Sequence, residues 1–178
     1  MNLNNYRTAA AATAMYPGAG QRTLLGLSYL ALGLVGEVSE IGELVAKMRS
    51  QGEWVHLDDI RHELGDVLWY DAMLTAELGL STSDDAVSSY PTPVAPVPPV
   101  PALLDLVQAA GQVAEVVKKA IRADGPVAPE KVAPALTEVR RLIALLGANY
   151  GTTVEEIRAA NIAKLTARFK TGTIKVHT

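Results

Sequence analysis

Four acidic residues are spaced so that they could act together on a metal ion. Glu37 and Glu40 are three residues apart, as are Glu63 and Asp66, so each pair shares one face of a helix. In an antiparallel helical hairpin, the numbers of level residues have a constant sum. Glu37 with Asp66 and Glu40 with Glu63 give the same sum, and its midpoint falls at the break beside Gly52. The spacing therefore predicts that the four carboxylates face each other across a hairpin.

Such a cluster needs a compensating positive charge. Two carboxylates about 5 Å apart repel each other by roughly 3 kcal/mol at an effective dielectric constant near 20. Oxygen ligands are what hard divalent cations prefer, and Mg²⁺ in proteins combines a few carboxylates with substrate phosphates. The pattern therefore favours Mg²⁺ or Mn²⁺. The alternative is that the four acids form a solvated helix face.

The composition limits the other kinds of chemistry. The 178 residues include no cysteine and only three histidines, and the formal net charge is −3. These values exclude a disulfide framework and a thiol nucleophile, and they argue against a nucleic-acid partner. The longest apolar stretch, Leu24 to Gly36, is shorter than the ~20 residues that span a bilayer. We expect a soluble, cytoplasmic protein without a membrane partner.

The elements that must position the acids are helices. Hydrophobic residues make up 49% of the chain and aromatic residues only 5%, and the apolar positions recur at helical spacing. The pattern predicts an all-α fold with long helices over about 21–50 and 60–79, then over 103–122, 130–150 and 153–169. A proline-rich segment divides them, which predicts a first unit over 1–90, a linker over 91–101 and a second unit over 102–178.

The two units resemble each other in sequence. The stretch Gly36–Glu40 resembles Gly111–Glu115, and the helix after it is similar to the one that begins near Leu136. The second unit replaces two of the four acids, so that its set consists of Gln112, Glu115, Ala135 and Glu138. We therefore expect two helical-hairpin copies, of which the second binds metal very weakly or not at all. Chance similarity between two Ala- and Leu-rich hairpins is the alternative.

Several segments resemble the MazG-like all-α nucleoside triphosphate pyrophosphohydrolases, which are related to the dimeric dUTPases. The segments are YPGAG, LALGLVGEVSEIGELVAK, HELGDVLWY and TTVEEIRAANIAKLTARF. The resemblance implies a helical bundle that binds two or more Mg²⁺ or Mn²⁺ ions per site. It implies cleavage of a nucleoside triphosphate to the monophosphate and pyrophosphate, with a purine deoxynucleotide such as dGTP as the expected substrate. It also implies a homo-oligomer, a dimer or a tetramer.

By this resemblance, Glu37, Glu40, Glu63 and Asp66 match the metal ligands. Glu40 or Glu63 is the candidate catalytic base, because a carboxylate that the metal does not saturate could accept a proton from water.

Five further residues are candidates for binding the substrate. Asn161, Lys164 and Arg168 match nucleotide and phosphate contacts, and Lys47 on the metal helix is a further candidate. Trp54, Trp69, Tyr70 and Tyr6 are candidates for stacking on the base. Trp54 in the inter-helix loop is preferred, since Trp69 and Tyr70 are more typical of a core.

Two other functions are considered. A di-iron carboxylate bundle requires Glu-x-x-His on two helices, whereas this chain has a single Asp59-x-x-His62. A non-enzymatic helical interaction or regulatory module would explain the repeat and the linker. It would not explain why four acids are level in one copy and partly replaced in the other.

Overall fold

The protein is all-α in the computed structural model, which describes residues 1–52, 56–81 and 98–171. These residues form six helices and no strand. The helices are α1 (Leu3–Ala11), α2 (Leu24–Gln51), α3 (Leu57–Glu77), α4 (Pro99–Ala123), α5 (Pro129–Asn149) and α6 (Val154–Lys170). The predicted all-α class is confirmed, and the predicted helices occur close to their predicted bounds.

Four helices form a bundle and two pack at its side. Helix α2 contacts α3 and α4, and α5 contacts α4 and α3, so the two hairpins α2–α3 and α4–α5 lie against each other. Helix α6 packs mainly on α3, and α1 contacts both α3 and α6. The two predicted units therefore share one hydrophobic core, which includes Leu34 and Leu64 of the first and Leu106 and Leu136 of the second.

Local sequence signals explain where the helices begin and end. The Thr23 hydroxyl accepts a hydrogen bond from the Gly26 amide at the start of α2, and Gly52 ends that helix with φ +66°, in the left-handed region that glycine favours. Thr153 and Glu156 form the capping box at the start of α6, which satisfies amides that lack a partner within the helix. These ends fix how α2 and α6 approach α3.

The boundary of the proline-rich linker differs from the prediction. Helix α4 begins at Pro99, inside the predicted linker over 91–101, with Pro98 as its N-cap and Pro101 in its first turn. Proline is tolerated there because the first-turn N–H groups have no partner within the helix. The residues from 82 to 97 lie outside the described part of the chain.

Two of the bundle helices also have the length and composition of membrane spans. Helices α2 and α4 are both long and apolar enough to cross a bilayer. Core helices of soluble proteins have the same properties, and here the two helices pack against each other. The expectation of a soluble, cytoplasmic protein therefore stays a prediction.

Candidate metal site

The predicted carboxylates meet between α2 and α3. Oxygen atoms of Glu37, Glu63 and Asp66 all lie within 4.8 Å of one another, and the three residues are half-buried. Glu40 is exposed and lies close enough to Glu63 to contribute to the raised pKa of that residue. The structure therefore brings three of the four acids together and leaves Glu40 exposed beside them; the four are called the acidic cluster below.

Apolar neighbours explain why the acids face each other. Val38 and Ile41 on α2, and Leu64 and Val67 on α3, are buried in the core. Burying these residues fixes the rotation of each helix about its axis, since residues one position away must then lie at the rim of the same interface. The acidic cluster is thus positioned by the core beneath it.

Helix α6 covers one side of the acidic cluster. The Asn161 amide nitrogen donates a hydrogen bond to Asp66 Oδ1 at 2.8 Å, and the Lys164 ammonium group forms an ion pair with Asp66 Oδ2. By the resemblance, both residues match nucleotide and phosphate contacts. In the structure each is bound to a metal-ligand candidate, and their contacts with a nucleotide stay a prediction.

Tyr6 is a member of this site that the sequence analysis considers only as a stacking ring. Its side chain is 1% exposed, and its hydroxyl donates to Asn161 Oδ1 at 3.0 Å. The hydroxyl also lies 3.4 Å from the carbonyl oxygen of Gly65. A tyrosine in a short N-terminal helix carries no spacing signal that links it to Asn161, so the sequence offers no way to predict this contact.

The protonation of the acidic cluster reflects burial and mutual repulsion. Burial raises the pKa of Glu37 to about 7, with further contributions from Asp66, Glu40 and Glu63, while Lys164 opposes the shift. Burial also raises the pKa of Glu63, with Asp66 and Glu40 contributing. One lysine therefore does not neutralise the cluster, which has more negative charge than its surroundings compensate.

The remaining predicted substrate contacts are not part of the acidic cluster. Arg168 is exposed on the last turn of α6, and Lys47 is exposed on α2, two turns beyond Glu40 and thus roughly 10 Å along the helix. Trp54 lies outside the described residues. Among the described residues, Lys164 is the basic side chain that contacts the cluster.

An aromatic group lies beside the acidic cluster. Tyr70 packs against Gly33, where the Cβ of any larger residue would come within 2.1 Å of the ring, and Gly33 is one helical turn before Glu37 on α2. The Tyr70 ring contacts Tyr29 and Trp69, with centroid distances of 6.3 and 5.0 Å. Tyr29 is 44% exposed, and one face of its ring stacks on Tyr16 at a centroid distance of 5.5 Å. The rings of Tyr29 and Tyr70 are called the aromatic face below.

The second copy does not form a comparable cluster. Glu115 pairs with Lys118 and Lys119, and Glu138 pairs with Arg141. The two remaining positions are Gln112, which is exposed, and Ala135, which is buried. Within the described ranges, Glu37, Glu63 and Asp66 are the group whose geometry suits a metal ion. The expectation that the second copy binds metal very weakly or not at all stays a prediction.

The donor set of the acidic cluster fits a hard divalent cation. All of its ligands are carboxylate oxygens, without the nitrogen or sulfur donors that select zinc, iron or copper. Burial raises the pKa of Glu37 and of Glu63, and the neighbouring carboxylates add to the shift; a bound cation would oppose both effects. Mg²⁺ and Mn²⁺ are therefore compatible with the residues present.

Fold and site together define an all-α protein with a carboxylate cluster inside a helical hairpin. No protein-family model matches the chain, and no solved structure matches it. The chain is 45% identical over 83 residues to the Gene 37 protein of Mycobacterium phage L5, a match that covers 44% of this chain and 73% of the phage protein. The chain therefore belongs to the same family as that phage protein.

Proposed function

We propose that the protein is a Mg²⁺- or Mn²⁺-dependent nucleoside triphosphate pyrophosphohydrolase, which converts an NTP or dNTP to the monophosphate and pyrophosphate. One observation carries the proposal: three acids from two helices converge within 4.8 Å, and a lysine from a third helix borders them. A site of this kind can hold both cations and a polyphosphate. The resemblance of these segments to MazG-like enzymes supports the same reaction.

The acidic cluster and Lys164 have different roles in this reaction. Glu37, Glu63 and Asp66 would hold the ions, which when bound lower the pKa of water and neutralise charge on the pyrophosphate leaving group. Lys164 borders the same space and supplies a fixed positive charge for the phosphate chain.

Glu63 and Glu40 are the candidates for accepting the proton of the attacking water. Glu63 lies within the acidic cluster, and Glu40 is close enough to it to contribute to its raised pKa, of which burial is the main cause. A carboxylate that the ions do not saturate can accept the proton. Both residues therefore stay candidates for the base.

The expected substrate is a purine deoxynucleotide such as dGTP. Tyr29 lies about two turns before Glu37 on α2, and Tyr70 of α3 packs beside it. Such rings can stack on a base. A purine presents a larger ring surface than a pyrimidine. The aromatic face therefore supports the purine expectation but does not choose between guanine and adenine.

A second candidate is a non-enzymatic interaction module, and a specific observation favours it. Several large apolar side chains of α2 and α4 are exposed: Leu25, Leu32, Leu104 and Val107. Exposed apolar surface of this kind is common at protein interfaces. The same surface is compatible with the expected homo-oligomer, so it does not argue against the enzyme.

The deciding experiment is incubation of the full-length protein with a panel of NTPs and dNTPs in Mg²⁺ or Mn²⁺. We expect release of pyrophosphate and monophosphate, and we expect Glu63→Gln to reduce turnover by about 100-fold or more, as loss of a general base does. Glu115→Gln is the matched control, because Glu115 is the counterpart of Glu40 in the second copy and lies outside the acidic cluster. Wild-type turnover by E63Q, or no pyrophosphate from any substrate, would refute the proposal.

A further inference from the structure

Asn161 is placed to act on Asp66 and not on a ligand. Its side chain is fully buried, and both ends of its amide are engaged. An ionised carboxylate only accepts hydrogen bonds, so Asp66 fixes the amide with its nitrogen toward α3. The amide oxygen then needs a donor on the opposite side, and the Tyr6 hydroxyl supplies it.

Tyr6 is itself held firmly in place. Helix α1 packs against both α3 and α6, and the Arg158 guanidinium lies 6.0 Å from the centre of the Tyr6 ring. Burial, together with the nearby charges of Asp71 and Asp66, raises the pKa of Tyr6. The hydroxyl therefore keeps its proton and remains a donor at all ordinary pH values.

A glycine in α3 allows Asn161 to approach this helix closely. A Cβ at position 65 would lie 2.8 Å from the Asn161 Cβ, closer than side chains approach one another. Gly65 thus lets Asn161 lie directly on α3, one residue before Asp66. The chain Tyr6–Asn161–Asp66 runs from the N-terminal helix to the acidic cluster without a gap.

We propose that Tyr6 is a positioning residue for the metal site: its hydroxyl orients Asn161, which holds the Asp66 carboxylate in the direction needed to bind the ion. Asn161 then serves Asp66 and not the nucleotide. This inference rests on the proposed function, since it assigns a task to the acidic cluster. Partners that orient a metal ligand typically change metal affinity by about 10- to 100-fold.

The test measures Mn²⁺ binding to the full-length protein, without nucleotide, by the electron paramagnetic resonance signal of free Mn²⁺. Tyr6→Phe keeps the ring and removes the hydroxyl, and we expect Mn²⁺ affinity to fall about 10-fold. Tyr16→Phe is the matched control. It removes a buried hydroxyl that donates to Glu77 at 2.6 Å, eleven residues beyond Asp66 on the same helix, and we expect it to leave Mn²⁺ affinity unchanged.

A double-mutant cycle with Asn161→Ala tests whether Tyr6 affects Mn²⁺ binding through Asn161 or by a general loosening of the helix packing. If Tyr6 acts through Asn161, Y6F has no further effect on Mn²⁺ affinity in the N161A background. Additive losses, or equal losses in Y6F and Y16F, overturn the proposal. If Y6F does not fold, N161A decides alone, because unchanged Mn²⁺ affinity in that variant also overturns it.

The outcomes distinguish the two proposals. If the wild-type protein binds no Mn²⁺, both the metal site and the positioning role of Tyr6 are refuted. If the wild-type protein binds Mn²⁺ and hydrolyses nucleotides, and Y6F is indistinguishable from it, only the positioning role of Tyr6 is refuted.

Discussion

Glu37 is the residue whose charge state says most about the acidic cluster. Its carboxyl is half-buried among Glu40, Glu63 and Asp66, which raises its pKa from 4.5 to about 7. Between these two values the folded protein binds a proton that the unfolded chain has released. Folding is therefore favoured at the acid end of this window, and the advantage is lost as pH rises through about 7.

This linkage gives a prediction for the metal-free protein. In the presence of a chelator, we expect the free energy of unfolding to decrease between pH 5 and pH 7.5, because Glu37 must then ionise in a negative environment. Glu37→Gln should flatten this pH dependence and raise stability at pH 7.5. Urea titrations at several pH values measure both effects. An E37Q variant with the wild-type slope would show that Glu37 does not carry a raised pKa.

At the residue scale, the sequence predicts the acids but not their partners. The positions of Glu37, Glu40, Glu63 and Asp66 follow from helical periodicity and one hairpin, so that simple spacing places them together. The Tyr6 contact with Asn161 spans 155 positions in sequence and depends on how α1 and α6 pack on α3. No local pattern encodes such packing, because it is decided by the shapes of three helices at once.

At the scale of helices, the close approach of α6 to α3 depends on a single glycine. Gly65 is buried against Asn161, whereas Gly111 in α4 is exposed and a Cβ there would meet nothing within 4 Å. Alanine favours a helix interior over glycine by up to about 1 kcal/mol. A change from glycine to alanine therefore alters helix propensity equally at both positions, but it produces a steric clash only at position 65.

We expect Gly65→Ala to destabilise the protein by about 1–3 kcal/mol, since the added methyl group must push Asn161 away from α3. We expect Gly111→Ala to stabilise it by about 0.5–1 kcal/mol. Urea denaturation followed by circular dichroism measures both changes. If G65A were as stable as G111A, the contact between α6 and α3 would be looser than the structure shows.

Most of the helices can be predicted from the sequence for a physical reason, and the start of α4 is the exception. Apolar positions at helical spacing predict α2 and α3 because each helix buries one continuous face. The start of α4 is not predicted, since Pro99 and Pro101 suggest extended chain. Their place in the first turn, where backbone N–H groups have no acceptor within the helix, is known only once the start of the helix is known.

At the scale of the whole molecule, one buried ion pair joins the two hairpins. The Arg140 Nε atom on α5 donates to Asp71 on α3 at 2.9 Å, and another guanidinium nitrogen of Arg140 donates to Thr75 at 3.2 Å. Both charged side chains are about 95% buried. Breaking such a pair is costly, because the remaining charge stays buried without its partner.

Asp71 and Arg140 have different charged surroundings. Burial raises the pKa of Asp71, and the charges of Arg140, Arg7 and Arg158 oppose that shift. Loss of Arg140 would thus leave Asp71 with two neighbouring cations. Loss of the Asp71 charge would leave the Arg140 guanidinium buried without its carboxylate and would remove a nearby negative charge from Arg7 and Arg158.

We therefore expect Asp71→Asn to destabilise the protein more than Arg140→Gln, with each single change costing about 3–5 kcal/mol. The double variant should cost less than the sum of the two, because the second change removes a charge that the first has already left uncompensated. Glu115→Gln, which breaks an exposed pair, should leave the denaturation midpoint unchanged. Urea denaturation of the four variants measures these differences. Additive costs, or a larger loss in R140Q than in D71N, would mean that Asp71 and Arg140 do not act as a coupled pair between the hairpins.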